Sequence, residues 1–225
     1  MAILTGPGLG LVVAAGQGRR FGSPKQFATI CGRPVLLYSL AAFNRCPDIS
    51  SIVVVTSRDR VGAVQRLVRR RSLRKVSSVV AGGAERGDSV RHGLALLPDA
   101  GIVAVHDAAR PLVTPAMIST GIVACRRHGP VTYGRTLSDT VKRVRGPAVI
   151  ETLDRRELIA VETPQFFPVA LLRQAHEAAL RQGTTASDDC ALVERLGVVV
   201  RWLPSPRANL KITTRPDLRL CAALL

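Results

Sequence analysis

Unbroken apolar runs of strand length alternate along the chain with longer stretches of helical period. Residues 11–15 form the first run, closed by glycines, as expected of a strand buried on both faces that feeds a turn. Further strands are predicted at 52–56, which is β-branched, at 76–80 before Gly82-Gly83, and at 102–106. Helical spacing covers 34–46, with Pro34 in a first-turn position, then 61–71 with an arginine-rich face, 89–97 and 115–127. Short strands are expected at 131–133, 139–144 and 158–163. A helix over 168–181 and a capped helix over 187–196 follow, then strands at 198–203 and 209–213 and a C-terminal helix from Pro216.

Repeated β-α-β alternation predicts an α/β fold, a mainly parallel twisted sheet with helices on both faces. No repeat or linker divides residues 1–225, so one domain is expected. Only about 134–160, with short strands and no helix, interrupts the alternation and reads as an excursion from the main sheet. The apolar run over residues 2–15 lacks a positive flank and meets Gly16-Gln17-Gly18-Arg19-Arg20, so it is read as a first strand and not as a signal peptide. No stretch reaches the roughly 18 apolar residues of a membrane span. Five widely spaced cysteines form no C-x-x-C pair and suit small apolar fillers in a reducing compartment, and a cytoplasmic location is expected.

Charge changes the picture. A formal net charge of +16 invites a nucleic-acid reading, but aromatics are only 4%, too few for the stacking platforms of single-strand binders, and no helix-turn-helix is visible. Of the 32 basic residues only four are lysine, Lys25, Lys75, Lys142 and Lys211, which marks each of them for attention.

In sheets of this kind ligands bind beyond the carboxyl ends of the strands. The loop after the first strand, residues 14–26, carries Gly16, Gly18, Arg19, Arg20, Gly22 and Lys25. Glycines let backbone amides close on phosphate oxygens, and Arg and Lys neutralise a polyphosphate. It is neither a Walker A loop, since Lys25 lies between Pro24 and Gln26, nor G-x-G-x-x-G, since Phe21 stands at the third glycine. The plain alternative is a surface turn with solvated charges. Asp107, closing the strand at 102–106, can reach polyol hydroxyls or a metal ion. His106 is read as a hydrogen-bonded strand-end histidine rather than an acid or base. Ser89 can equally be a helix N-cap.

The run Ala14-Ala15-Gly16-Gln17-Gly18-Arg19-Arg20-Phe21-Gly22-Ser23-Pro24-Lys25-Gln26-Phe27 resembles the nucleotide loop of the nucleotidyltransferases that join a polyol phosphate to a nucleoside triphosphate. Further motifs are Gly82-Gly83-Ala84-Glu85-Arg86-Gly87-Asp88-Ser89-Val90, Val105-His106-Asp107-Ala108-Ala109-Arg110-Pro111, Asp139-Thr140-Val141-Lys142, Thr163-Pro164-Gln165-Phe166-Phe167 and Asn209-Leu210-Lys211-Ile212-Thr213. With them the chain is most similar to the 2-C-methyl-D-erythritol 4-phosphate cytidylyltransferase family. The ribitol 5-phosphate cytidylyltransferases are the nearer alternative and a basic nucleic-acid-binding protein the distant one.

The resemblance implies a Rossmann-like nucleotidyltransferase fold, CTP and a polyol phosphate as substrates, and a divalent cation, Mg²⁺. It implies catalytic roles for Arg20, Lys25 and Lys211 around the triphosphate, and a cytosine pocket of Ala14, Ala15, Gly83 and Ser89. Many members carry Asp where this chain has Ala84. Asp107 and Arg110 match polyol contacts, and Thr140, Arg155, Thr163 and Ser187 match the holders of the substrate phosphate. The Arg155 match implies a homodimer in which a protruding arm, 134–160, delivers this arginine across the interface, with Arg156 beside it a competing choice. No metal-ligand set is assigned, Asp107 being the one candidate, and Lys142 is left without a role. Neither nucleic acid nor membrane is an expected partner.

Overall fold

The central strand β1 (Gly8–Ala14) lies between two parallel neighbours, β4 (Ile49–Thr56) and β6 (Ile102–Asp107), and its side chains alternate between two dry faces. Leu9 and Leu11 join one apolar cluster with Val53, Val55, Val103 and Val105, while Val12 and Ala14 join the other with Ile52, Val54, Ile102 and Ala104. Burial on both faces is why these strands read as unbroken apolar runs. A computed structural model describes residues 5–206 and 208–225.

In chain order β1 is followed by a small hairpin, β2 (Thr29–Ile30) and β3 (Arg33–Pro34), then α1 (Val35–Arg45), β4, α2 (Val61–Arg70), β5 (Val76–Ala81), α3 (Arg86–Leu94), β6 and α4 (Pro115–His128). Next come β7 (Val131–Thr136), a separate antiparallel hairpin of β8 (Val141–Arg145) and β9 (Ala148–Leu153), β10 (Ile159–Pro168), α5 (Val169–Arg181), α6 (Asp189–Glu194), β11 (Arg201–Pro204) and α7 (Pro216–Leu224). The main sheet runs β11-β7-β10-β6-β1-β4-β5, with only β10 antiparallel to its neighbours, so it is mostly parallel. Helices α1, α2 and α4 cover one face, and α3, α5 and α6 the other. No helix among the described residues is long and apolar enough to cross a membrane.

Several expected boundaries move for physical reasons. Helix α3 starts at Arg86, not at Ser89, because Glu85 and Asp88 form a reciprocal capping box three residues upstream. The cap of α6 is Asp188, whose carboxylate accepts from the Ala191 amide, so Ser187 lies outside the helix. Segment 209–213, expected as a strand, joins no sheet; the Ile212 amide instead donates to the Ala109 carbonyl, and Asn209 Nδ2 to the Thr163 carbonyl. Strand β10 continues past 163 to Pro168, after a register shift between Glu162 and Gln165. Strand β11 begins at Arg201, not at 198. Strand β9 and the β2–β3 hairpin carry too little apolar periodicity to be seen in the sequence.

Gly121 on α4 shows how close the layers come. A Cβ there would lie 2.1 Å from two ring atoms of Phe166, which is wholly buried. Alanine gains about 1 kcal/mol over glycine in a helix, but overpacking a rigid ring costs about 1–3 kcal/mol. Gly121→Ala is therefore expected to lower the urea midpoint. Gly87→Ala, at a helical position with open space around its Cβ, is expected to hold or raise it.

Candidate active site

The loop leaving β1 turns sharply at Gly18, whose φ is +66° and whose position leaves only 1.9 Å between a built Cβ and the Ser23 carbonyl oxygen. Only glycine fits there. The Phe21 and Gly22 amides both donate to the Gly18 carbonyl. Buried Gln26 then closes the loop from inside, its Nε2 donating to the Ala14 carbonyl at 2.6 Å and the Gly16 carbonyl at 2.9 Å. This anchors Lys25, on a short 3-10 turn, over the end of β1.

Beyond the strand ends lies a cavity of about 260 Å³, lined among others by Ala14, Ala15, Gly16, Lys25, Gly83, Ser89, Asp107 and Lys211. On one wall the buried Ser89 hydroxyl accepts from the Gly83 amide and donates to the Glu85 carbonyl, which fixes the Gly83 backbone against the first turn of α3. Burial and the nearby Lys211 charge lower the Lys25 ammonium from its ordinary value, and exposed Arg20 adds to the repulsion. Cations held this close together suit the binding of an anion, whose charge would relieve their repulsion.

At the end of β6 the Asp107 carboxylate receives Arg86 Nε on Oδ1 at 3.1 Å and Lys211 Nζ on Oδ2 at 2.6 Å. Burial alone would raise this carboxyl, but the Arg86 and Lys211 charges outweigh it and hold it well below the usual carboxylate range. Its backbone amide donates to the Thr163 hydroxyl. Arg110, three residues on, donates to the Asn209 carbonyl at 2.7 Å, tying the segment that carries Lys211 to the loop after β6. His106 is fully buried, with Nε2 facing Ser39 and the Arg110 carbonyl and Nδ1 facing Thr163. Burial pushes its imidazole down to about 4, so near neutral pH it is an uncharged packing residue.

The remaining candidates stand apart. Thr140 and Arg155 are exposed on the excursion around the β8–β9 hairpin, where Arg155 donates to the Ser138 carbonyl. Arg156 is paired with Asp154, so of the two neighbours Arg155 is the one without an acidic partner among the described residues. Ser187 is exposed before the α6 cap. Lys142 reaches across the hairpin to the Thr152 hydroxyl at 2.6 Å. Sequence reasoning gave no role to Gln26, Arg86, Asp189 or Asn209, although all but Asp189 stand inside the quoted motifs; their roles depend on partners far away in the chain. Among the described residues no three His, Cys, Asp or Glu side chains converge on a metal position, and both Asp107 oxygens are held by cations. The described residues alone thus offer no ready-made set of protein ligands for a metal ion.

The family model for 2-C-methyl-D-erythritol 4-phosphate cytidylyltransferase (IspD) matches residues 9–225. The chain is 40% identical over 217 residues to the enzyme of that name from Dehalococcoides mccartyi, covering 96% of this chain and 94% of the relative. It is 41% identical over 220 residues to the one from Desulforamulus reducens, covering 96% and 94%. Among solved structures it is similar to the 2-C-methyl-D-erythritol 4-phosphate cytidylyltransferase of Thermus thermophilus, with TM-score 0.79, 32% identity and coverage of 95% and 96%. It is also similar to the 4-diphosphocytidyl-2C-methyl-D-erythritol synthase of Anaerococcus prevotii, with TM-score 0.86, 26% identity and coverage of 97% and 95%.

The depressed His106 gives a stability signature. An unfolded imidazole takes its proton near the ordinary value of 6.5, the folded one only near 4, so between these values the unfolded state binds more protons. Stability is expected to fall as pH drops through that window. Urea midpoints measured from pH 7 to 4.5 should show this fall in the parent and most of it removed in His106→Gln.

Proposed function

This chain belongs to the 2-C-methyl-D-erythritol 4-phosphate cytidylyltransferase family, and from that premise we propose how its residues divide the work. It is a nucleotidyltransferase that moves the cytidylyl group of CTP to 2-C-methyl-D-erythritol 4-phosphate, giving 4-diphosphocytidyl-2-C-methyl-D-erythritol and pyrophosphate in isoprenoid biosynthesis. A phosphate oxygen of the polyol substrate attacks the α-phosphorus in line. The new P–O bond forms as the α–β anhydride bond breaks, and pyrophosphate leaves. Negative charge builds on the α-phosphoryl oxygens, so catalysis is mainly positioning and electrostatic stabilisation.

The observation that carries the assignment is the meeting of Lys25, Lys211 and Asp107 on one cavity. In our reading Lys25 and Lys211 place compact charges on the α-phosphoryl oxygens, Arg20 takes the triphosphate, and Gly16 and Gly18 shape the loop around it. Ala14, Ala15, Gly83 and Ser89 receive the cytosine, where backbone groups replace the side chain that Ala84 lacks. Asp107 and Arg110 face the polyol, with Thr163 and Ser187 toward its phosphate. Mg²⁺ would enter with the triphosphate and supply further positive charge there. We also place the enzyme in the cytoplasm, which four buried free cysteines suit.

A homodimer is the second part of the proposal. Thr140 and Arg155 would act in the partner's site, which accounts for an arginine without an acidic partner on an exposed excursion. Val144, Val149 and Ile150 on the same hairpin are more than half exposed, an apolar surface that suits a subunit contact.

Two measurements test these roles. In steady-state pyrophosphate release, Lys25→Ala and Lys211→Ala are each expected to lower kcat by about 10²-fold or more. Lys75→Ala, whose ammonium only caps the Cys46 carbonyl, should stay close to the parent. Crossing CTP against UTP and ATP, and methylerythritol phosphate against ribitol phosphate, should leave one productive pair. Separately, coexpressing Arg155→Ala with Lys211→Ala should recover activity that neither has alone, because one site of the mixed dimer is then intact. Absence of recovery would place Arg155 in its own subunit's site.

A further inference from the structure

Arg86 is the first residue of α3, at the positive end of the helix, where a cation is disfavoured. Two carboxylates from other elements hold it there. Its Nε donates to Asp107 Oδ1 at 3.1 Å and its NH1 to Asp189 Oδ2 at 2.8 Å. Asp189 is itself fixed: its side chain is 1% exposed and its other oxygen meets His176 Nε2 at 2.9 Å. The guanidinium fork is thus anchored from behind, between the cavity of Lys25 and Lys211 and a larger one of about 580 Å³ lined by His176 and Asp189.

Lys211 is the contrasting partner. Its side chain is 40% exposed, it has Asp107 as its one acidic partner among the described residues, and its ammonium sits on a flexible stem. If it alone neutralised Asp107, its departure would leave a buried carboxylate uncompensated, which is strongly unfavourable. The lysine would then stay captive at Asp107.

We propose that Arg86 is a positioning residue: by keeping one oxygen of Asp107 it frees Lys211 to move to the α-phosphoryl group, and leaves the other oxygen for a hydroxyl of the polyol. The proposal rests on the role given above to Lys211. It makes Arg86 act through Lys211 and not on substrate, so its removal should slow turnover more than it weakens nucleotide binding.

A double-mutant cycle tests this. Arg86→Gln, and Arg86→Lys as the variant that keeps a charge in the buried cluster, are expected to lower kcat by about tenfold or more while KM for CTP moves by less than about threefold. In the Lys211→Ala background the same substitutions should cost less than about twofold further, because the residue they act through is already gone. Arg86→Lys, with one compact donor in place of a fork, should lose less than Arg86→Gln. If the full loss recurs on top of Lys211→Ala, Arg86 acts independently and the proposal falls. If Lys211→Ala alone is as active as the parent, the role of Lys211 falls first and takes the proposal with it.

Discussion

A buried carboxylate at the end of a sheet strand needs counter-charge, and the chain supplies it to Asp107 from two distant places. Arg86 comes from the start of α3 and Lys211 from a segment beyond the last strand. Strand β6 sets the position, since Val13 of β1 stands opposite Asp107 and the Ala108 amide donates to the Val13 carbonyl. Thr163 on β10 secures the backbone from the other side. The Asp107 cluster therefore exists in full only once the sheet, the α3 start and the 209–213 segment have all docked.

Much of this was legible in the sequence, and the exceptions share a cause. The parallel strands are apolar on both faces, so their runs announce themselves, and the helices between them are bounded by proline and polar residues. The start of α3 was misplaced because Ser89 looks like a cap, while the actual cap is a pair, Glu85 and Asp88, that only geometry reveals. Residues 209–213 have a strand-like pattern, yet their partners are the Ala109 carbonyl and Thr163, which no local reading can supply. The lysines were informative because they are scarce; Arg86 was hidden because arginines are not. Gln26 was quoted inside a motif without a role, since its two carbonyl partners become neighbours only when the loop folds back.

Few of the chain's positive charges stand at the cavity. Lys25, Lys211, Arg20, Arg86 and Arg110 stand near the strand ends, and three of them are partly neutralised by Asp107, Asp189 or backbone carbonyls. The net +16 is carried mostly elsewhere. Helix α2 and the residues around it hold a large share, with Arg66, Arg69, Arg70, Arg71 and Arg74 facing few acids.

That helix packs beside β5, the last strand in the sheet order, with Arg69 lining the groove between them. Among the described residues one edge of β5 has no strand partner, and an open row of backbone donors and acceptors is a template on which another chain can pair. Two copies approaching through this edge bring like-charged arginine belts together. Charge beside an open strand is a general device against edge-to-edge pairing, and here the arginine excess stands where the sheet ends.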